Sequence, residues 1–176
     1  MTGFLPDVIA PGLSVLFCGI NPGVSSAAAG HSFSNKSNRF WQVLYGAGFT
    51  PRVLTSSEDQ LLVEFGLGIT TAAVRPTRSA HELSKTELRA GVGSLKAKIE
   101  LYTPAAIAFL GKAAYSAIEG RASIDWGPQP SLFAGAKAWV LPNPSGLNRR
   151  FSLVQLVDAY SALRKSVNER ARPSSS

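Results

Sequence analysis

The sequence predicts an α/β domain with a mainly parallel sheet covered by helices on both faces. Three observations predict it. Short apolar runs rich in β-branched and aromatic residues stop at turns containing Gly or Pro: Val15 to Cys18 before Gly19, Ala105 to Leu110 before Gly111, and Ala138 to Leu141 before Pro142. Helical patterns with their own start signals alternate with those runs. The 176 residues suffice for one sizeable core, and no repeat or linker divides them. A single domain over 1–170 with a disordered tail at 171–176 is therefore expected.

The elements follow in order. Ser14 to Ile20 reads as the first strand, ending at Gly19-Ile20-Asn21-Pro22-Gly23. Residues 24–38 are small and polar without periodicity, and read as a long loop. Arg39 to Gly48 places Phe40, Val43, Leu44 and Ala47 on one helical face. Ser57-Glu58-Asp59-Gln60 has capping-box spacing for a helix through Leu61, Leu62 and Phe65, ending near Gly66. Gly68 to Thr71 is an edge or minor strand, and Arg75-Pro76-Thr77-Arg78-Ser79 a loop with two arginines. Ser84-Lys85-Thr86-Glu87 is a second capping box, opening a helix with the stripe Leu88, Val92, Leu95, Ile99 and Tyr102. A strand ending at Gly111 and a helix from Lys112 to about Glu119 come next, then a turn-rich stretch at Trp126 to Pro130. The last strand, Ala138 to Leu141, runs into Pro142-Asn143-Pro144-Ser145-Gly146-Leu147-Asn148-Arg149-Arg150. Ser152 caps a final helix whose buried face is Leu153, Leu156, Val157, Tyr160, Leu163 and Val167.

Composition narrows the chemistry. Eighteen Lys and Arg against 11 Asp and Glu give a net charge of +7, which favours polyanionic partners, although part of the excess lies near the C-terminus. The single cysteine, Cys18, has no internal disulfide partner, and His31 and His81 with it make no cluster of zinc-ligand spacing. A metal or other cofactor is not expected. There is no phosphate-loop motif, no run of membrane-spanning length and no basic-then-apolar leader, so the expected compartment is the cytoplasm and no membrane partner is expected.

Two strand ends carry loops of parallel design, Gly19 to Gly23 and Leu141 to Gly146. Ligands of open α/β sheets bind at the carboxyl ends of strands, so both loops can face one cleft. From the residues alone, Asn21 is either a site residue or a polar turn residue tolerant of unusual φ. Leu147, followed by Arg149 and Arg150, is either an apolar wedge for a duplex with arginines on phosphates, or a side chain tucked into the core.

Taken together, Gly19-Ile20-Asn21-Pro22-Gly23, Ser25-Ser26-Ala27, Asn38-Arg39-Phe40-Trp41, Arg75-Pro76-Thr77 and Leu141-Pro142-Asn143-Pro144-Ser145-Gly146-Leu147 resemble the mismatch-specific uracil/thymine DNA glycosylases, a branch of the uracil-DNA glycosylase superfamily. The resemblance runs in register from about Asp7 to the last helix. It implies a three-layer α/β/α sandwich and a monomeric, monofunctional enzyme. Such an enzyme excises uracil, and more weakly thymine, opposite guanine in double-stranded DNA and leaves an abasic site. Asn21 then corresponds to the residue that holds the attacking water, and Phe33 to the aromatic that stacks on the extruded base. Ile20 and Phe33 offer backbone N–H groups to the uracil edge, with Gly23, Ser26 and Asn143 in the same base-binding set. Gly146, Leu147 and Asn148 match the intercalating wedge, with Arg149 beside it.

The chemistry agrees with that expectation. Glycosidic cleavage builds positive charge on the sugar and negative charge on the departing base. Neutral Asn21 positions water rather than taking a proton, so the rate rests on donors aimed at the leaving base and on the phosphates around the cation. A mismatched base is the easier one to extrude. Faster relatives carry Asp in the first motif and His in the second; Asn21 and Asn143 stand there instead, and no lysine sits in either for a Schiff base. Two departures stand out. Lys36 replaces a common proline, which predicts an added phosphate contact. Thr71 replaces a lysine common in bacterial relatives, which bears on pyrimidine preference. His81 and Glu82 read as a solvated helix lead-in. The competing readings are a glycosylase of broader context that also acts on single strands, and a non-catalytic module that reads damaged DNA or binds a free base.

Overall fold

The computed structural model describes residues 5–78, 80–121 and 123–171. Among these, five strands form one sheet: β1 (Val15–Gly19), β2 (Leu67–Thr71), β3 (Ala106–Leu110), β4 (Gly127–Phe133) and β5 (Ala136–Leu141), in the order β2-β1-β3-β5-β4. The pairs β1/β2, β1/β3 and β3/β5 are parallel and β4/β5 is antiparallel. The predicted α/β class with a mainly parallel sheet is therefore found, and Gly68 to Thr71 lies on an edge strand.

Side chains that alternate along each strand separate two apolar layers. Val15, Phe17, Ala106, Ala108, Leu110, Trp139 and Leu141 pack under α2 (Phe40–Gly46) and α5 (Leu153–Ala171), against Phe40, Leu44, Leu156, Tyr160 and Leu163. Leu16, Cys18, Ile20, Ile107, Phe109, Ala138 and Val140 face α3 (Lys85–Tyr102) and α4 (Lys112–Glu119), against Leu88, Leu95, Ile99, Ala114 and Tyr115. Helices on both faces make the three layers.

The terminators do what their chemistry predicts. At the start of α3 the Ser84 hydroxyl accepts from the Glu87 N–H, and the Glu87 carboxylate accepts from the Ser84 N–H. Ser152 and Gln155 form the same reciprocal pair before α5. Ala134 and Gly135, both at positive φ, close the β4–β5 hairpin with a two-residue turn of the kind that suits strand twist.

Five sequence expectations are corrected. The long loop at 24–38 begins with a helix, α1 (Val24–Ala29), which buries only Ser26 and Ala27 and so leaves no apolar stripe for periodicity to reveal. The helix predicted from the Ser57 capping box starts at Ser56, is a 3-10 helix through Phe65, and is capped from Thr55, whose N–H reaches Glu58 at 3.1 Å. The turn-rich stretch at 126–130 leads into β4, where Pro128 and Pro130 are tolerated because the strand is an edge and bulges between Pro128 and Leu132. Leu153, expected on the buried face of α5, is 42% exposed, because it precedes by one turn the first residue, Leu156, that reaches the core. On α3, Val92 and Tyr102 are half-buried rather than buried. The expected tail lies outside the described residues beyond Ala171, as does Ser79 of the arginine loop.

No helix among the described residues is long and apolar enough to cross a membrane.

Candidate active site

Three parallel strands end side by side at one edge, with Ile20 after β1, Gly111 after β3 and Asn143 after β5. Gly111 draws them together: its N–H donates to Leu141 O at 2.8 Å, and its Cβ position lies 3.9 Å from both Asn143 Cβ and Ile20 Cδ1. Its φ of +114° is one that side chains rarely adopt, which is why glycine stands there. The two Asn-Pro loops therefore leave the sheet at one edge, close together.

Asn21 is fixed through its amide nitrogen. Nδ2 donates to the Arg75 carbonyl at 2.6 Å and to Thr77 Oγ1 at 2.9 Å. A carbonyl only accepts, so the amide orientation is determined by chemistry: both N–H bonds are engaged and Oδ1 is left as an acceptor. The strap carrying these partners is itself tied down. The Thr77 N–H donates to Pro22 O at 3.1 Å, and Thr77 pairs with Gly23 in a parallel bridge. Arg75 spans to Glu87 Oε1 at 2.7 Å and to Glu82 O at 2.9 Å. The guanidinium beside it, with the Ser84 N–H, holds the Glu87 carboxyl well below its ordinary range, at about 2. Glu87 thus caps α3 and braces the strap that aims Asn21.

Phe33 forms an aromatic shelf. It stacks on Phe40 with ring centroids 4.0 Å apart and planes at 25°, and is half-buried. Its φ of 53° is left-handed for a residue with a Cβ, a strain of roughly 1–2 kcal/mol that the surroundings must offset. Its carbonyl accepts from Trp41 Nε1 at 3.3 Å, while nothing among the described residues accepts from its N–H. Ser26 is buried, and its hydroxyl accepts from the Ser34 N–H at 3.1 Å, so it is engaged in holding the loop that bears Phe33. Gly23 lies on the bridge to Thr77.

The second loop is rigid at its base and bare at its tip. Asn143 Oδ1 accepts from the Ser145 N–H at 2.9 Å, and Asn143 O accepts from Asn148 Nδ2 at 2.9 Å. The Arg39 guanidinium donates to the carbonyls of Ser145, Asn148 and Phe151, at 3.1, 2.8 and 2.7 Å. Gly146 presses on Ser37, where an added Cβ would sit 2.6 Å from Ser37 Cβ. From this base Leu147 projects 73% exposed, with Arg149 and Arg150 also exposed; the tucked-in alternative for Leu147 is not what the chain adopts. Lys36 is exposed on the adjoining loop, next to Ser37.

The sequence profile described as the uracil DNA glycosylase superfamily matches residues 6–170. The chain belongs to the uracil-DNA glycosylase superfamily. Membership carries the family's hydrolase chemistry, excision of uracil from DNA in base-excision repair. The fold agrees: a candidate uracil DNA glycosylase from Methanosarcina acetivorans, solved by solution NMR, superimposes with a TM-score of 0.58 over 93% of this chain and 97% of that one, at 19% identity.

Within this superfamily member, the sequence-predicted Ile20 and Asn143 flank Gly111 at the strand ends, while Asn21 and Gly23 are tied to the strap at Arg75 and Thr77. Gly146, Leu147, Asn148 and Arg149 form the projecting loop. Sequence reasoning missed the role of the residues that hold these in place. Arg75 and Thr77, quoted above in a motif of the resemblance but given no role there, act through a carbonyl and a hydroxyl more than 50 residues from Asn21. Arg39 did leave a signal: a cation at a helix N-terminus opposes the helix dipole, and that mismatch marks a side chain engaged elsewhere. Burial pushes the Cys18 thiol up to about 12, so it is no nucleophile at neutral pH. No group of three His, Cys, Asp or Glu among the described residues could hold a metal ion.

Proposed function

We propose that this chain is a monofunctional, monomeric glycosylase that excises uracil, and more weakly thymine, opposite guanine in double-stranded DNA. The observation that carries the reading is the Asn21 amide, locked through both N–H bonds, which leaves Oδ1 as the acceptor for an attacking water. Water adds to the sugar C1′ as the C1′–N1 bond breaks, and the bonding electrons leave with the base. The water's proton goes to solvent or to the departing anion, since a neutral amide does not hold it. The Phe33 N–H and the Ile20 backbone supply donors to the base edge, and such donors stabilise charge as it develops. Phe33 stacks on the extruded base, and Leu147 fills the space left in the duplex, with Arg149 on the backbone.

Neutral Asn at both motif positions supports the slower branch, in which a weakly paired base is the one attacked. The test is single-turnover cleavage, with enzyme in excess, of duplexes carrying G·U, G·T or A·U pairs and of single-stranded uracil DNA, read by alkali cleavage of the abasic site. Strong cutting of G·U with weak A·U is expected. Equal cutting of every uracil context would replace mismatch recognition by a broad uracil specificity. No cutting at all would reduce the chain to a binding module.

A further inference from the structure

Asp59 is a carboxylate only 2% exposed, carried on the 3-10 helix Ser56–Phe65. The cap of that helix uses Thr55 and Glu58, so Asp59 is not needed to start it. Burying a carboxylate is costly unless it is hydrogen-bonded, and both of its partners lie in the shelf loop. Oδ2 accepts from the Ser32 N–H at 3.0 Å, and Oδ1 meets His31 Nδ1 at 3.3 Å, in the tautomer that places the ring proton on that nitrogen. These are the two residues immediately before Phe33.

The strained Phe33 is thus gripped from three elements. Asp59 holds the backbone before it, Ser26 of α1 holds the Ser34 N–H after it, and Trp41 of α2 holds its carbonyl. With the neighbouring N–H groups engaged, its own N–H remains the donor without a protein acceptor among the described residues.

We propose that Asp59, together with His31, is the positioning residue that sets the angle of the Phe33 shelf and aims the Phe33 N–H at the extruded base. This rests on the glycosylase reading above. Asp59 touches neither base nor water; it acts through the loop.

The experiment compares Asp59→Ala, Asp59→Asn and His31→Ala with the wild type. Two readouts are taken: the single-turnover rate and affinity on a G·U duplex, and the Trp41 indole N–H signal in a ¹H–¹⁵N spectrum of the free protein. Misplacing a positioned group by about 1 Å can cost on the order of 100-fold in rate, so Asp59→Ala is expected to lose about 10- to 100-fold in rate with less than about two-fold change in affinity. Its Trp41 signal moves. Asp59→Asn keeps an acceptor for the Ser32 N–H and is expected to recover most of the rate and the wild-type signal position, with His31→Ala between the two. A wild-type rate and an unmoved Trp41 signal in Asp59→Ala overturn the proposal, as does an Asn variant no better than Ala. Should Asp59→Ala fail to fold, Asp59→Asn and His31→Ala decide: wild-type rates and signals in both overturn it, while a loss of rate with a moved signal in His31→Ala upholds it. A wild type that cuts no uracil substrate sinks the glycosylase reading alone, because the Trp41 signal still reports whether Asp59 holds the shelf.

Discussion

The Asn21 loop and the Leu147 loop leave the same edge of the sheet and are restrained in opposite ways. In the first, the side chain proposed to act is itself the bonded group: Asn21 Nδ2 is held by Arg75 O and Thr77 Oγ1. In the second, Arg39 holds the backbone carbonyls of Ser145, Asn148 and Phe151, and the proposed wedge, Leu147, stands in solvent. The difference suits the role proposed for each side chain. Orienting a water demands that one oxygen be fixed in angle. Entering a base stack demands a bare apolar tip on a base rigid enough that little order remains to be imposed on binding.

The largest break in that comparison is Asn21→Ala, which removes the oriented acceptor. Its single-turnover rate on G·U DNA is expected to fall by about 100-fold or more while duplex affinity is kept. An unchanged rate would refute the water-positioning role. Next comes Arg39→Ala, which leaves three carbonyls of the second loop without their donor. A loss of about 2–3 kcal/mol of stability by denaturant unfolding is expected, with weakened duplex binding. Leu147→Ala should do the reverse: melting temperature unchanged, because the side chain is 73% exposed, and roughly ten-fold weaker retention of the abasic duplex by gel shift. A large stability loss in Leu147→Ala would mean that the tip is part of the core.

How much of this was legible in the sequence follows from the range of each interaction. Strands β1, β3 and β5, and helices α3 and α4, announce themselves through apolar runs, capping residues and glycine stops, all within a few residues. Helix α1 escaped because alanines and serines bury too little to leave a stripe, and β4 because its prolines are tolerated only at an edge, a fact of tertiary position. Asn21 and Leu147 could be picked out from the loops that carry them. Arg75, Thr77 and Arg39 stood in quoted motifs, but what they support could not be read, because they act across 54 to 112 residues of chain. Glu87 was read as a cap and is also a brace, and only the fold reveals the second role.

That brace gives a pH test of the first loop. The Glu87 carboxyl titrates at about 2 in the folded protein against an ordinary 4.5, because Arg75 and the Ser84 N–H favour its charged form. A lowered folded value means that the stabilisation is fully present above about pH 4.5 and disappears as pH falls towards about 2. Melting temperatures of the wild type and Glu87→Gln should therefore differ by a constant amount from pH 5 to 8 and converge below pH 4. The Arg52–Glu58 pair titrates in the same window but is common to both proteins, so it cancels in the difference. A difference that persists at pH 2 would show that Glu87 acts through packing rather than charge.

The smallest effect concerns Lys36, exposed on the loop whose Ser37 supports Gly146. If the second loop enters the duplex, this ammonium lies beside a phosphate, and each neutralised phosphate contributes about 0.9 to the slope of log affinity against log salt on duplex DNA. Lys36→Ala should lower that slope by about one while leaving the single-turnover rate at saturating enzyme unchanged, since the side chain holds neither water nor base. An unchanged slope would place Lys36 off the DNA and confine the duplex contact to Leu147, Arg149 and Arg150. A changed rate would be the more informative failure: it would mean that the loop on which Phe33 and Lys36 both sit moves as one piece, and that binding energy at the duplex surface is used to set the shelf.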